Sequence, residues 1–336
     1  PAYSRRLTCP MAADQVRWGF IGVGDVTEVK SGPAFRRVPG SSVSVVMRRD
    51  AARARDYAER HGVPRWTTDA REVIEADDVD AVYVATPPSS HAEYTLMAAA
   101  AGKPVYVEKP MSRTTAEGEA MVRACSEAGV PLFVAYYRRA LPRFEHARRL
   151  LAGGELGEPV AVRLELGWQA PPGPEAAGWR WDPEVAGPGL LFDLGSHALD
   201  LLDHWLGPVK GVRGSAATRL PWSPVPDLVV GAFEWESGAI GTAEWDFAAP
   251  AARDELTVTC ARGSVSVPVF AEGPVTVTNT VGRASELVVP HPAHVQEPLI
   301  ASVVDELLGG GGRCPSTGES ALRTQRTLDR LLEGLS

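Results

Sequence analysis

The chain has 336 residues, long enough for two compact domains, with 42 acidic against 34 basic side chains, a net charge of −8 and an isoelectric point near 5.5. Its arginines are scattered, which leaves no basic footprint for a nucleic-acid partner, and no apolar run reaches the length of a membrane span. Four dispersed cysteines, Cys9, Cys125, Cys260 and Cys314, form no CxxC pair and have no histidine cluster beside them, so neither a metal site nor a disulfide framework is expected, and a cytoplasmic protein of small-molecule chemistry is.

Residues 1–12 are expected to be a flexible tail. From Val16 onward, short β-branched runs at Val16–Gly22, Val43–Met47, Ala81–Ala85, Val105–Val107 and Leu132–Ala135 alternate with helical stretches at Ala51–Arg60, Ser90–Ala101 and Thr114–Ala128. Such alternation predicts an α/β domain over 13–137, a parallel sheet wound with helices on both faces. Phe144–Ala152 reads as one more helix, closed by Gly153-Gly154. The pattern then changes to valine- and threonine-rich strands at Pro159–Trp168, Val209–Thr218, Leu228–Trp235, Ala239–Phe247, Leu256–Cys260, Ser264–Val269 and Val275–Thr278. Gly, Pro and Asp turns between them predict a mostly antiparallel sheet. With helices at Gly195–Leu206 and Glu297–Leu308, this makes an α+β domain over 138–316. A last helix, Glu319–Leu335 within 317–336, is expected to pack back on the first domain.

Gly22-Val23-Gly24-Asp25-Val26-Thr27 directly follows the first strand and opens a helix. In that context a glycine turn brings backbone N–H groups against a pyrophosphate. Thr27 stands where a third glycine is usual, so an ordinary strand-to-helix turn competes with this reading. The second strand ends on Met47-Arg48-Arg49-Asp50, placing guanidinium groups where a carboxylate would meet a free ribose 2′-hydroxyl. Guanidinium suits a 2′-phosphate, which favours NADP over NAD. Asp50 either returns an acid to that site, keeping NAD open, or caps the next helix.

Thr86-Pro87-Pro88-Ser89-Ser90-His91 ends the third predicted strand, at the carboxyl edge where parallel sheets bind ligands. It is either a loop against the nicotinamide half, a proline turn capping the next helix, or both. Glu108-Lys109-Pro110 ends the fourth, and Lys109 is one of four lysines in the chain. Its ammonium can polarise an oxygen, or it is a surface lysine on a turn before proline. In Asp193-Leu194-Gly195-Ser196-His197-Ala198-Leu199-Asp200, two carboxylates flank an imidazole at helical spacing. That arrangement can fix the tautomer of a histidine acid/base; the competing reading is a capped helix with a packed histidine.

Together these motifs resemble the Gfo/Idh/MocA family, the glucose-fructose oxidoreductase and inositol dehydrogenase superfamily of NAD(P)-dependent enzymes. Glu108-Lys109-Pro110 looks like its EKP motif, Thr86-Pro87 with His91 like its TPxxxH loop, and Asp193 with His197 like its DxxxH pair. Arg138-Arg139-Ala140-Leu141-Pro142 is similar to its segment after the sixth strand, although Tyr137 stands where asparagine is common. The resemblance runs from about Val16 to Gly207 and returns at Cys314–Ser320.

The resemblance implies a Rossmann domain joined to an α+β domain with an open-faced sheet, and hydride transfer between nicotinamide and a sugar, polyol or related cyclic alcohol or ketone. Lys109 and His197 would handle the substrate oxygen and its proton, with Asp193 orienting the substrate and tuning the histidine. The cofactor set would be Gly22, Val23, Gly24, Asp25, Val26, Arg48, Arg49, Thr86, Pro87, His91, Glu108, Lys109, Arg138, Trp179 and Arg180. Tyr136, Tyr137, Trp179, Asp193, His197 and His294 are the substrate candidates, the tyrosines being equally explained by core packing. No metal is required. The open sheet, with large apolar groups in Leu228–Trp235 and Ala239–Phe247, implies a homodimer or homotetramer. The competing activities are a non-catalytic NADP-binding regulator and an NAD-dependent glycoside-cleaving enzyme.

Overall fold

The computed structural model of the chain describes residues 14–333, so the tail expected over 1–12 and the end of the last expected helix lie outside the described residues. The chain divides into two compact units. The first takes residues up to Ser112, 116–137 and 292–322; the second takes 113–115, 138–291 and the residues from Arg323 on. Residues 292–316, expected in the second domain, thus fall in the first unit.

The first unit is built on β1 Val16–Ile21, β2 Ser41–Met47, β3 Arg65–Thr67, β4 Ala81–Val84, β5 Val105–Val107 and β6 Leu132–Val134, all parallel in the order β3-β2-β1-β4-β5-β6. This is the doubly wound order of a dinucleotide-binding sheet. Strand β3 escapes a sequence reading because it is three residues long, with Arg65 and Trp66 exposed.

Alternation sends successive side chains to opposite faces, and both faces are buried. On one, Trp18, Phe20, Tyr83 and Tyr106 gather around Phe35, with ring centroids 4.8–6.0 Å from it. Edge-to-face pairs of this kind contribute about 0.5–1.5 kcal/mol each beyond their buried area. On the other, Ile21, Val82, Val84, Val105 and Val107 pack with Met121, Ala321 and Leu322.

The second unit carries β7 Pro159–Gly167, β8 Val209–Ala217, β9 Leu228–Trp235, β10 Ile240–Asp246, β11 Arg253–Cys260, β12 Gly263–Val267, β13 Val275–Asn279 and β14 Ala284–Leu287. They form one sheet in the order β14-β13-β12-β11-β7-β10-β9-β8, antiparallel except for the β7–β10 pair. Strand β14 is fully exposed, without the apolar alternation that announces a strand.

The large apolar groups of β9 and β10 do not lie on an open face. Val229, Phe233, Trp235 and Trp245 are buried on the inner side, and alternation leaves Val230, Ala232, Glu234, Thr242 and Glu244 on the outer one. The outer surface is therefore small, hydroxylated and charged, not broadly apolar; Ile240, 61% exposed, is its largest uncovered aliphatic group.

Leu331 packs on the inner side, where Gly214 and Gly231 leave room: a Cβ at either glycine would fall within 2.6 Å of its Cδ1. The helix Gly318–Glu333 thus gives its first turns to the first unit and its last turns to the second.

Candidate active site

The glycine turn follows β1, and its two glycines answer different demands. Gly22 has φ +93°, and a Cβ there would stand 2.5 Å from Thr86 Cγ2 and 2.9 Å from Thr86 N. Its N–H and that of Val23 both donate to Met47 O, so the ends of β1, β2 and β4 meet at this point. Gly24 is extended, at φ −172°, and a Cβ there would meet no protein atom within 4 Å. The fold itself makes no demand for glycine at 24, whereas a pyrophosphate approaching the backbone does, and the space beside Gly24 fits that group.

Thr27, in the third glycine's place, is fully buried and closes the turn: its Oγ1 accepts from Gly24 N at 2.9 Å and donates to Gly24 O at 2.8 Å. Asp25 and Val26 open the short helix Asp25–Val29 and present the N–H groups that such an end leaves without helical acceptors.

After β2, Arg48 Nη1 donates to Val23 O at 3.1 Å, fixing a guanidinium to the glycine turn, while Arg49 is exposed. Asp50 Oδ1 accepts from Arg53 N and caps the helix Ala51–His61.

In the loop after β4, the Ser90 hydroxyl donates to Thr86 Oγ1. His91, expected at the cofactor, is instead fully buried, its Nε2 2.7 Å from Thr86 O and its Nδ1 3.0 Å from Pro110 O. Burial lowers its pKa while the two carbonyl acceptors oppose that shift, and the ring lies between the Thr86 loop and the Glu108–Pro110 loop.

Glu108, also expected at the cofactor, is 5% exposed and turned into the first unit. Its Oε1 accepts from the Tyr83 hydroxyl and from Gln296 Nε2, each at 2.6 Å, and its Oε2 from Lys109 N at 3.3 Å. Lys109 itself is half-buried at the end of β5.

In the second unit, Asp193 lies in a local distortion and His197 in the helix that follows it. Residues Leu191–Gly195 form a wide turn in which Ser196 N reaches back to Leu191 O, before the regular helix Ser196–Leu206 begins. Wide turns of this type re-aim side chains and gather at functional sites. Gly195 permits the packing, since a Cβ there would lie 2.9 Å from Leu191 Cδ1 and 3.0 Å from Trp245 Nε1.

Asp193 is 5% and His197 3% exposed. Arg180 Nε donates to Asp193 Oδ2 at 2.7 Å and its guanidinium lies over the Trp179 ring, so of the expected cofactor set Arg180 binds the Asp193 carboxylate and Trp179 packs on Arg180. Asp200, read as a second partner of His197, binds elsewhere. Its two oxygens accept Nε and Nη2 of the buried Arg139, which also reaches Asp203.

An aromatic wall adjoins His197 that no motif announces. Phe270 meets the imidazole edge-on at 5.7 Å, meets Trp168 at 5.2 Å and carries Arg138 over its ring at 4.3 Å; Trp168 in turn stacks on Phe247. Asp254 fixes the Phe270 loop by accepting from the N–H groups of Val269, Phe270 and Ala271. An aspartate followed 15–17 residues later by its backbone partners leaves no spacing signal.

The remaining substrate candidates are placed differently. Tyr136 is 1% exposed and belongs to the first unit's apolar core, and Tyr137 is buried as well, so core packing accounts for Tyr136. His294 lies in the first unit, with Nδ1 3.0 Å from Val29 O. Gln296, two residues on, was not anticipated. It reaches Glu108 from 188 positions away, beyond the range of any local pattern.

Residues 16–136 match an oxidoreductase family with an NAD-binding Rossmann fold, and residues 144–266 match the GFO/IDH/MocA C-terminal domain. The chain is 35% identical over 313 residues to oxidoreductase P35 of Formosa agariphila, covering 92% of this chain and 96% of that protein. It is 31% identical to 1,5-anhydro-D-fructose reductase of Ensifer adhaerens, covering 91% and 92%. Among solved structures, levoglucosan dehydrogenase in complex with NADH and levoglucosan superposes with a TM-score of 0.83 at 25% identity, covering 95% of this chain and 97% of that one. The chain belongs to the GFO/IDH/MocA family of oxidoreductases with an NAD-binding Rossmann domain.

Proposed function

We propose that the chain is an NADP-dependent oxidoreductase that moves hydride between nicotinamide and a CH–OH group, or the corresponding ketone, of a sugar, polyol or related cyclic substrate. The names of its relatives, 1,5-anhydro-D-fructose reductase and levoglucosan dehydrogenase, support the substrate class. The observation that carries the reading is an Arg180-held, buried Asp193 carboxylate on the wide turn, four residues before a buried His197 imidazole in the following helix. A helix cap would need neither the distortion nor the Arg180–Asp193 ion pair.

When bound, the dinucleotide supplies or accepts the hydride. Gly24, Asp25 and Val26 hold its pyrophosphate. Lys109 donates to the substrate oxygen and stabilises the partial negative charge it gains during transfer. His197 takes the hydroxyl proton in oxidation and returns it in reduction, and Asp193 orients the substrate and favours the charged imidazole.

Arg48 supports NADP. It stands just past β2, two residues before Asp50, one oxygen of which caps the next helix. A fluorescence titration comparing NADPH with NADH, followed by a ketose, aldose and inosose panel with the tighter cofactor, tests the reading. Lys109→Met should abolish turnover and leave NADPH binding detectable. Undiminished turnover in that variant would remove the mechanism.

Self-association, as a dimer or tetramer, would use the outer face of the second sheet, through small and hydroxylated side chains with charged ones among them instead of an apolar patch. Ala232→Arg should then lower the oligomeric mass measured by light scattering. A wild-type monomer at micromolar concentration would overturn this.

A further inference from the structure

Gln296 sits 1% exposed just before the helix Glu297–Leu307, and its amide is polarised by its neighbours. The Tyr106 hydroxyl donates to Gln296 Oε1 at 3.0 Å, which obliges the NH₂ end to face Glu108, where Nε2 donates to Oε1 at 2.6 Å. The Tyr83 hydroxyl donates to the same oxygen at 2.6 Å. Burial raises the pKa of both phenols well above the usual value, so each remains a donor. Glu108 Oε2, the other end of the carboxylate, accepts the main-chain N–H of Lys109.

We infer that Gln296 is a positioning residue for Lys109, acting through Glu108: it fixes the carboxylate that caps the Lys109 main chain. The inference rests on the substrate-oxygen role proposed above for Lys109. Its physical content is that Glu108 has two neutral donors on one oxygen, and removing one frees the carboxylate to rotate and carry the Lys109 backbone with it. Misplacement of a reacting group by about 1 Å can cost about 10²-fold in rate. Apolar packing alone would not require a glutamine here, whereas a donor aimed at Glu108 with an acceptor aimed at Tyr106 does.

The test compares Gln296→Met with Gln296→Glu. Gln296→Met, of similar volume, should lower kcat about tenfold or more while KM for the cofactor stays within about twofold. Gln296→Glu puts a second carboxylate against Glu108. Like charges that close share a proton, so activity should be retained at acid pH, where the bond re-forms, and lost as pH rises. A role confined to folding would lower stability without moving the pH profile.

A cofactor-free readout uses competitive acetylation of the amines, with Lys30, Lys103 and Lys210 as internal references. In Gln296→Glu, the acetylation rate of Lys109 relative to those references should change, because a displaced Glu108 moves the Lys109 main chain. Circular dichroism melts verify that both variants fold. An active wild type, an inactive Lys109→Met and an unaltered pH and acetylation profile in Gln296→Glu would overturn this inference and leave the proposed function standing. A wild type without turnover, with the acetylation shift present, would do the reverse.

Discussion

Arg180 Nε donates to Asp193 Oδ2 at 2.7 Å, joining a half-exposed arginine to a buried carboxylate one helical turn before His197. Arg180→Met should lower the melting temperature, because it removes a partner from the buried Asp193 carboxylate. It should lower kcat by about tenfold, since an unanchored Asp193 no longer presents one oxygen to the substrate side. Steady-state kinetics with a cofactor titration decide the matter: a weaker cofactor Kd at constant kcat would mean that Arg180 serves the dinucleotide.

The two glycines of the first turn should fail in opposite ways. Gly22→Ala forces a side chain to φ +93° and into Thr86, and should destabilise the chain by about 1–3 kcal/mol, measured by urea unfolding. Gly24→Ala meets no protein atom and should unfold like the wild type, yet bind cofactor at least about tenfold more weakly, a difference of about 1.4 kcal/mol. A destabilised Gly24→Ala with unchanged cofactor affinity would contradict the assignment.

The sequence reading reached the motifs whose chemistry is local. Gly22, Lys109 and the Asp193–His197 pair each lie at the end of a strand or start of a helix that alternation already predicts. It failed where partners are remote or orientation is decided by packing. Asp200 is three residues from His197, but the buried Arg139 claims its carboxylate. His91 carries a catalytic type of side chain, yet two backbone carbonyls hold it in the interior. Phe270 and Gln296 enter their sites from distant segments. The composition of β9 and β10 promised an apolar face without saying which side of the sheet would bear it, because that depends on strand register.

Arg48 links two functions that can be separated. Its Nη1 holds the Val23 carbonyl, and the NADP reading proposed above assigns the rest of the guanidinium to a 2′-phosphate. Arg48→Ala should weaken NADPH by about 10–100-fold, the loss of one or two charge-assisted bonds of about 1.5–3 kcal/mol in total, and leave NADH within about threefold. Equal losses for both cofactors would assign Arg48 to the turn alone and return the preference to NAD.

His204 should make stability depend on pH. Burial, reinforced by Arg139 and Arg148, pushes its imidazole down to about 4. A group whose folded pKa lies below its unfolded value near 6.5 stabilises the fold above pH 6.5, and that contribution is lost as pH falls toward 4. The shift corresponds to about 1–3 kcal/mol, allowing for the ring's remaining contact with solvent. Asp200 acts in the opposite sense over a neighbouring range: burial raises its carboxyl to about 6, so its contribution is present below pH 3.8 and lost as pH rises through 6. The wild-type slope therefore mixes the two, and the informative quantity is the difference between wild type and His204→Gln. Urea unfolding from pH 7.5 to 4.5 should show the wild type losing about 1–3 kcal/mol relative to the variant as the pH falls. A difference that stays flat over this range would show that His204 is solvated in both states.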